Sequence, residues 1–283
     1  MKVRKVTLIV NKHKEDSDRL EKDICARLET LGIETMVFGF YGCPVEEPQL
    51  EGSDLVITLG GDGTVLYTGR LASQYDKPIF PINLGSLGFI AWIRKSNWFQ
   101  TFQAVLDDKL LISKRMMLSV QVFREGTLVK SFSALNDAVV SGYGLAKIVN
   151  LSINISGSPL GTYKADGIIV ATPTGSTAYS LAAGGPILDV DMEAMVFNPI
   201  CPFTLSNRPL VVPGDETIEL YVEMEQREKI KLTIDGQDFH DLREGDRVYV
   251  KKAESFASIF CSARGAFYQV LRSKLNWSGG PDA

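Results

Sequence analysis

The sequence predicts an α/β unit followed by an all-β unit. Three observations carry this. In the first third of the chain, short β-rich runs alternate with stretches of helical periodicity, the pattern of a parallel sheet with helices on its faces. Beyond Ser113 the runs become short, β-branched and punctuated by Gly126, Gly157, Gly214, Gly236 and Gly245, as in an antiparallel sandwich. The length of 283 residues, 45% of them hydrophobic and 23% charged, suits two folded domains.

Residues 5–10 read as the first strand. Leu20, Ile24, Leu28 and Leu31 then recur at near-helical spacing, and Gly32 closes that helix. Residues 35–40 form the next strand, and 54–59 (DLVITL) a buried one. A helix is expected over 65–75, a fourth strand over 78–82 and a further helix over 98–106. The β-rich half contributes runs at 117–123, 128–134, 137–141, 148–155, 167–172, 217–224, 229–234 and 247–251. Phe267, Val270, Leu271 and Leu275 suit one helix within 256–277, and 278–283 reads as a frayed end. The boundary falls near residue 113.

Composition excludes several classes. Lys+Arg 30 against Asp+Glu 34 gives a net charge of −4, and no long basic cluster exists for a phosphate backbone to bind. No apolar run reaches the roughly 18 residues that a membrane helix needs. The N-terminal apolar run is too short, and too soon followed by charge, for a signal peptide, so the reading is cytoplasmic. Cys25, Cys43, Cys201 and Cys261 include no C-x-x-C pair, and only His13 and His240 could join them, which argues against structural zinc. His13 reads as surface and His240 as lying near a turn.

Two segments look chemical. Gly60-Gly61-Asp62-Gly63-Thr64 follows a buried strand and opens a helix, where glycines let backbone N–H groups approach phosphate. It is neither a Walker A loop nor G-x-G-x-x-G. A carboxylate repels phosphate, so Asp62 suggests a hydroxyl losing its proton or a divalent metal; the plainer reading is a helix cap. Residues 166–186, DGIIVATPTGSTAYSLAAGGP, run from a buried strand into small and hydroxylic residues that make a close polar wall, with Tyr179 offering a flat face; an N-capped helix after a turn explains it equally well. Asn136-Asp137 interrupts an apolar stretch, where Asn suits a base edge and a carboxylate suits ribose hydroxyls. Asn83 to Phe89 (NLGSLGF) follows the fourth strand, and Asp235-Gly236-Gln237 is a natural hairpin turn.

Together these segments resemble the NAD kinase family: GGDGT at 60–64, NLGSLGF at 83–89, ND at 136–137, DGIIVATPTGSTAYSLAAGGPI at 166–187, LSNRPLVVP at 205–213 and DGQ at 235–237. GGDG is shared with diacylglycerol-type lipid kinases and phosphofructokinases, whereas the TPTGSTAYS block with its upstream ND pair is specific. The resemblance implies a Rossmann-like N-terminal domain with a parallel sheet, a C-terminal β-sandwich domain, and a C-terminal helix packing back on the first. It divides the chain into a phosphate-donor domain, 1–113 with the returning 256–283 segment, and an NAD-binding domain, 114–255. It implies transfer of the γ-phosphoryl of ATP, or of polyphosphate in some members, to the adenosine 2′-hydroxyl of NAD. It further implies Mg²⁺ or another divalent ion arriving with ATP, and a homodimer or homotetramer in which a neighbouring subunit completes the NAD site.

Residue by residue, the resemblance casts Asp62 as proton acceptor and Gly63 as its partner in NAD binding, with Gly60, Gly61, Gly63 and Thr64 as the phosphate loop. Asn136 and Asp137 match the pair on adenine and a ribose, and Asp166 the carboxylate at the nicotinamide end. Thr177, Ala178, Tyr179, Ser180 and Ala182 match the block around the adenosine, and Phe89 an aromatic wall. Lys147, Lys164 and Gln237 fall where other members place polar contacts. Asp137 is Glu in many members, Lys164 stands where Arg is frequent and loses its planar fork, and Ala182 replaces a Ser of some members. A lipid or nucleoside kinase on this scaffold is the nearest rival, but no basic amphipathic helix for a membrane surface is present. A non-catalytic NAD-binding regulator would be expected to lack Asp62.

Overall fold

A computed structural model of the chain describes residues 2–42, 44, 47–86, 88–144, 147–204, 207–261 and 266–275, and the backbone alone at 266. Cys43, Leu87, Leu205, and residues 278–283, expected to fray, lie outside the described residues. The chain divides into two units, Met1–Lys114 with Ala257–Ala283, and Arg115–Phe256.

The first unit is built on parallel strands. β1 (Lys5–Asn11), β2 (Glu34–Phe40), β3 (Leu55–Gly60) and β4 (Ile79–Asn83) lie in the order β2-β1-β3-β4, with the two-residue β5 (Ile93–Arg94) on β4. β3 is buried at every residue, which is why it reads as an unbroken apolar run; a central parallel strand is covered on both faces. β2, at the edge, leaves Met36 and Val37 exposed. Helix α1 (Ser17–Thr30) buries Ile24 and Leu28, one turn apart on one face. It ends where Gly32, at φ 69°, takes the left-handed conformation and donates to the Glu29 carbonyl. α2 (Asp62–Ala72), continued by a 3-10 turn at Ser73–Tyr75, and α3 (Trp98–Leu106) complete the helices before the β-rich region. Phe80, Trp98 and Phe102 join the aliphatic residues of β1, β3 and β4 in one core.

The second unit is all-β. β6 (Leu111–Arg124) forms a hairpin with β7 (Thr127–Ala134) and pairs with β17 (Arg247–Cys261). β9 (Val149–Ile155), β10 (Ser158–Ala165) and β14 (Ile218–Val222) continue that layer antiparallel in the order β10-β9-β14-β17. A second antiparallel sheet runs β13-β12-β11-β8-β15-β16, from β8 (Asp137–Gly142), β11 (Gly167–Ala171), β12 (Ala194–Ile200), β13 (Leu210–Pro213), β15 (Ile230–Ile234) and β16 (Asp238–Leu242). Alternate residues of both layers share one core: Ala138 and Val140, Ile168 and Val170, and Leu232 meet Leu118, Leu151, Leu220 and Val248. The intervening residues Val139, Ile169, Ala171 and Val196 are also buried, in a separate cluster with Leu188 on the other face of the second sheet.

The one helix expected within 256–277 is α5, Ala266–Leu275, which carries all four of the residues that suggested it, and β17 continues to Cys261 before it. Phe260, at the end of that strand, enters the core of the first unit, and its carbonyl accepts the Trp92 indole N–H at 2.6 Å. α5 belongs to the same unit, with the Lys274 ammonium 5.3 Å from the Phe89 ring. His240 sits within β16, close to the turn that precedes it, and Asn136-Asp137 lies at a strand end, with Asn136 at the corner after β7 and Asp137 opening β8.

Candidate functional site

In the first unit the chemistry collects at the carboxyl ends of β3 and β4, where open parallel sheets bind ligands. Gly60 and Asn83 end these strands in register, and Leu84 N–H donates to the Gly60 carbonyl at 2.9 Å. The GGDGT turn starts α2, whose cap residue is Gly61, so Asp62 is the first helical residue and not the cap. Its carboxylate reaches across to the segment after β4. Oδ2 accepts the Phe89 N–H at 2.8 Å, while Oδ1 accepts those of Ile90 at 3.1 Å and Ala91 at 2.8 Å. Asn83 fastens the same segment from within: its Nδ2 donates to the carbonyls of Ser86 and Ala91, and its Oδ1 accepts the Gly85 N–H. Phe89 is thereby placed as the outcome of two side-chain staples.

The glycines are there for close approach. A Cβ on Gly60 would stand 2.0 Å from Thr64 Oγ1, and one on Gly88 would stand 1.9 Å from Asp62 Oδ1. Thr64 is buried, and its hydroxyl has no hydrogen-bond partner among the described residues. The Thr64 N–H already donates to the Gly61 carbonyl at 3.0 Å. Among the described residues no three His, Cys, Asp or Glu side chains gather as a metal cage.

In the second unit a cavity of about 510 Å³ opens on the face of the second sheet opposite the sandwich core, a volume ordinary for a small-molecule site. Its floor follows from strand periodicity. Asp137, Val139 and Ser141 are the alternate residues of β8, and Lys231 and Thr233 those of β15, while their neighbours point into the core. Asn136, Lys147, Asp166, Ala178, Tyr179, Asp235 and Gly236 also line it. Lys147 is paired with Glu228 at 2.6 Å, and the Lys231 ammonium stands 5.3 Å from the Tyr143 ring.

The corner at Asn136-Asp137 is fixed from two sides. Asp235 accepts three backbone N–H groups: Leu135 on Oδ2 at 3.0 Å, and Asn136 at 2.7 Å and Asp137 at 3.1 Å on Oδ1. Asp235 and Gly236 take the left-handed conformation, φ 51° and 66°, as a tight hairpin between β15 and β16 requires. From the other side, Thr172 N–H donates to the Asn136 carbonyl at 2.8 Å, and Thr172 Oγ1 donates to the Leu135 carbonyl at 2.6 Å. Gly175 lies so close that a Cβ there would stand 2.1 Å from the Asn136 carbonyl oxygen. Neither backbone can yield without breaking these bonds. Gly175→Ala should therefore destabilise the protein by about 2 kcal/mol or more, read as a lowered urea midpoint; an unchanged midpoint would show that the corner gives way.

Asp137 differs from its neighbour. It is 4% exposed, and its carboxylate makes no hydrogen bond among the described residues. Burial, and then the charge of Asp235, push its pKa up to about 7. Asn136 Oδ1 is likewise buried without a partner. A ligand presenting hydroxyl and amine donors here would satisfy both, and hydroxyls donated to Asp137 would favour its ionised form. The unfolded chain ionises this group near pH 4, so between about pH 4 and 7 the fold binds one proton more than the unfolded state. Stability from this group is present below that window and falls as pH rises through it, by at most about 4 kcal/mol. Asp137→Asn should flatten the decline of melting temperature between pH 5 and 8; a decline as steep as in the parent would assign it to other groups.

The remaining residues singled out in the sequence lie off this cavity's wall. Lys164 is exposed on edge strand β10. Thr177 Oγ1 donates to the Thr174 carbonyl at 3.1 Å. Ser180 is fully buried, and Asn198 Nδ2 donates to its carbonyl at 2.9 Å, so it anchors the TPTGSTAYS block. Ala182 is exposed, and Gln237 follows Gly236 in the hairpin, its N–H donating to the Ile234 carbonyl at 2.9 Å. Sequence reasoning missed Ser141, Lys231, Thr233 and the side chain of Asp235. The first three carried a usable signal, since they alternate with core residues on β8 and β15.

The ATP-NAD kinase N-terminal domain model matches residues 43–110, and the ATP-NAD kinase C-terminal domain model matches 135–260. An NAD kinase of Treponema denticola is 42% identical over 277 residues, 98% of each chain, and one of Desulforamulus reducens is 39% identical over 98% of this chain and 99% of its own. Among solved structures, yeast NADH kinase complexed with NADH superposes with a TM-score of 0.87 at 26% identity, covering 99% of this chain and 90% of that one. An Archaeoglobus fulgidus NAD kinase in complex with ATP gives 0.75 at 26% identity, covering 96% and 98%.

Proposed function

Because this chain belongs to the ATP-NAD kinase family of phosphotransferases, we propose that it transfers the γ-phosphoryl of ATP to the 2′-hydroxyl of the adenosine ribose of NAD. The observation that carries the reading is the floor of the second unit's cavity. Asp137 holds a buried carboxylate there and Asn136 an Oδ1 without a hydrogen-bond partner among the described residues, with Tyr179 and Ala178 on the wall. Adenine and ribose offer the matching N–H and O–H donors, and the Tyr179 ring offers a stacking face. Asp166 would meet the nicotinamide end, with Lys147 contributing charge. Thr177, Ser180 and Ala182 support the block that carries Tyr179.

The first unit would serve the donor. Gly60, Gly61, Gly63 and Thr64 form the turn beside the triphosphate, and Phe89 an aromatic wall. Asp62 would accept the hydroxyl proton as the ribose oxygen bonds to phosphorus and the bond to the leaving ADP breaks. A carboxylate has about four acceptor positions. Three hold loop N–H groups, which leaves Oδ2 able to accept one O–H. The divalent ion is written here as part of the donor, MgATP, because magnesium bound to a triphosphate keeps most of its ligands from phosphate and water. A cytoplasmic location is proposed from the sequence, and a homodimeric or homotetrameric assembly from the resemblance alone, as is the contact of Lys164 or Gln237 with ligand.

The test incubates the purified protein with NAD and MgATP and detects NADP with an NADP-specific dehydrogenase, with NADH and polyphosphate as further arms. NADP from NAD and ATP supports the reading. Product with polyphosphate only would change the donor, and product from NADH only would change the acceptor. No product in any arm, despite measurable NAD binding, would refute it in favour of a binding protein.

A further inference from the structure

Asp62 is bound by backbone groups at the end of the NLGSLGF segment and just beyond it, to which the resemblance assigns no role other than that of the Phe89 ring. The side chain of the first residue in a helix has wide rotational freedom unless something stops it. Here three successive backbone N–H groups, from Phe89, Ile90 and Ala91, converge on its two oxygens at 2.8, 3.1 and 2.8 Å. Gly88 lies against the same carboxylate, at a distance only a residue without a side chain can keep. The donors are themselves fixed, because the Ala91 carbonyl accepts from Asn83 Nδ2 at 2.8 Å and Ile90 and Ala91 are buried.

We propose that the 88–91 backbone is a positioning element for the reaction: its amides aim the Asp62 carboxylate so that one lone pair of Oδ2 faces the hydroxyl it deprotonates, and Gly88 is the residue that makes the approach possible. The proposal rests on Asp62 being the proton acceptor. A misaimed base costs rate without costing substrate affinity, since about 1 Å of displacement can lower turnover by a factor on the order of 100. Gly88 has no left-handed torsion to lose, so Gly88→Ala acts through the Cβ alone, which either expels the carboxylate or moves the loop.

The experiment has two arms. In the first, Gly88→Ala is assayed for NADP formation beside the parent protein. The expected result is a fall in kcat of roughly 30-fold or more with KM for NAD and ATP within about threefold, and an altered pH profile of kcat. Parent-like kcat, or a loss carried by KM alone, would overturn the proposal. The second arm needs no activity: amide hydrogen exchange at 89–91 is compared between the parent and Asp62→Ala. Faster exchange confined to those amides is expected, and unchanged protection would remove the clamp outright. Should the parent make no NADP while the clamp is present by exchange, it is the kinase reading that fails and not the geometry.

Discussion

Asp62→Asn should lower kcat for NADP formation by about two to four orders of magnitude, the usual contribution of a positioned general base, while NAD binding changes little. The amide is nearly the size of the carboxylate, and its single oxygen can still accept from Ile90 and Ala91, which share Oδ1 now. Its NH₂ cannot take a proton, and it would confront the Phe89 N–H that Oδ2 now accepts. On the proposed reading NAD is held by the second unit's cavity, so the loss should fall on turnover. Steady-state kinetics with calorimetric NAD binding separates the two. Near-normal turnover would make Asp62 a loop anchor only.

The second large effect concerns stability. Asp235→Ala should destabilise the fold by about 3 kcal/mol or more, because it strands three backbone N–H groups, each worth about 1–3 kcal/mol if left unpaired in the interior. The groups are those of Leu135, Asn136 and Asp137, so the damage falls on the corner that presents the buried acceptors. The substitution also removes one of the two causes that raise Asp137, which should then titrate below its value of about 7 while burial still holds it above an ordinary carboxylate. Urea unfolding and a carboxyl-observed NMR titration check both parts. A variant with parent-like stability, or an Asp137 titration that does not move down, would contradict the staple.

Much of the fold was legible because its strands follow two simple rules. β3, β11 and most of β8 are buried on both faces and read as apolar runs; β15 alternates. The strands that escaped notice break those rules. β12 contains Asn198-Pro199, a pair that ordinarily signals a turn, yet Asn198 is buried and donating to Ser180. β10 carries Pro159 and Gly161 at a sheet edge with a register shift between them, and β16 is polar because it too is an edge. β17 runs well beyond the strand read at 247–251, through the polar stretch KKAE to Cys261. At the candidate site, the chemical residue types were readable but their anchoring was not. The bonds from Asp235 to the 135–137 backbone and from Asp62 to 89–91 join positions far apart in sequence, and no local pattern encodes them.

The division of the chain has a consequence for how the protein is made. The all-β unit is one uninterrupted stretch, Arg115–Phe256, whereas the α/β unit draws on both ends of the chain. During synthesis the sandwich is complete while the parallel sheet still lacks Ile259 opposite Ile79 and the carbonyl of Phe260 for the Trp92 indole. Domains fold as their residues emerge, so here the portion translated first is the portion finished last. Until residues 257–261 emerge, the start of β4 at Ile79 lacks its Ile259 neighbour, a partly open edge of the kind that invites association, and this is the interval in which a nascent chain is most in need of shielding.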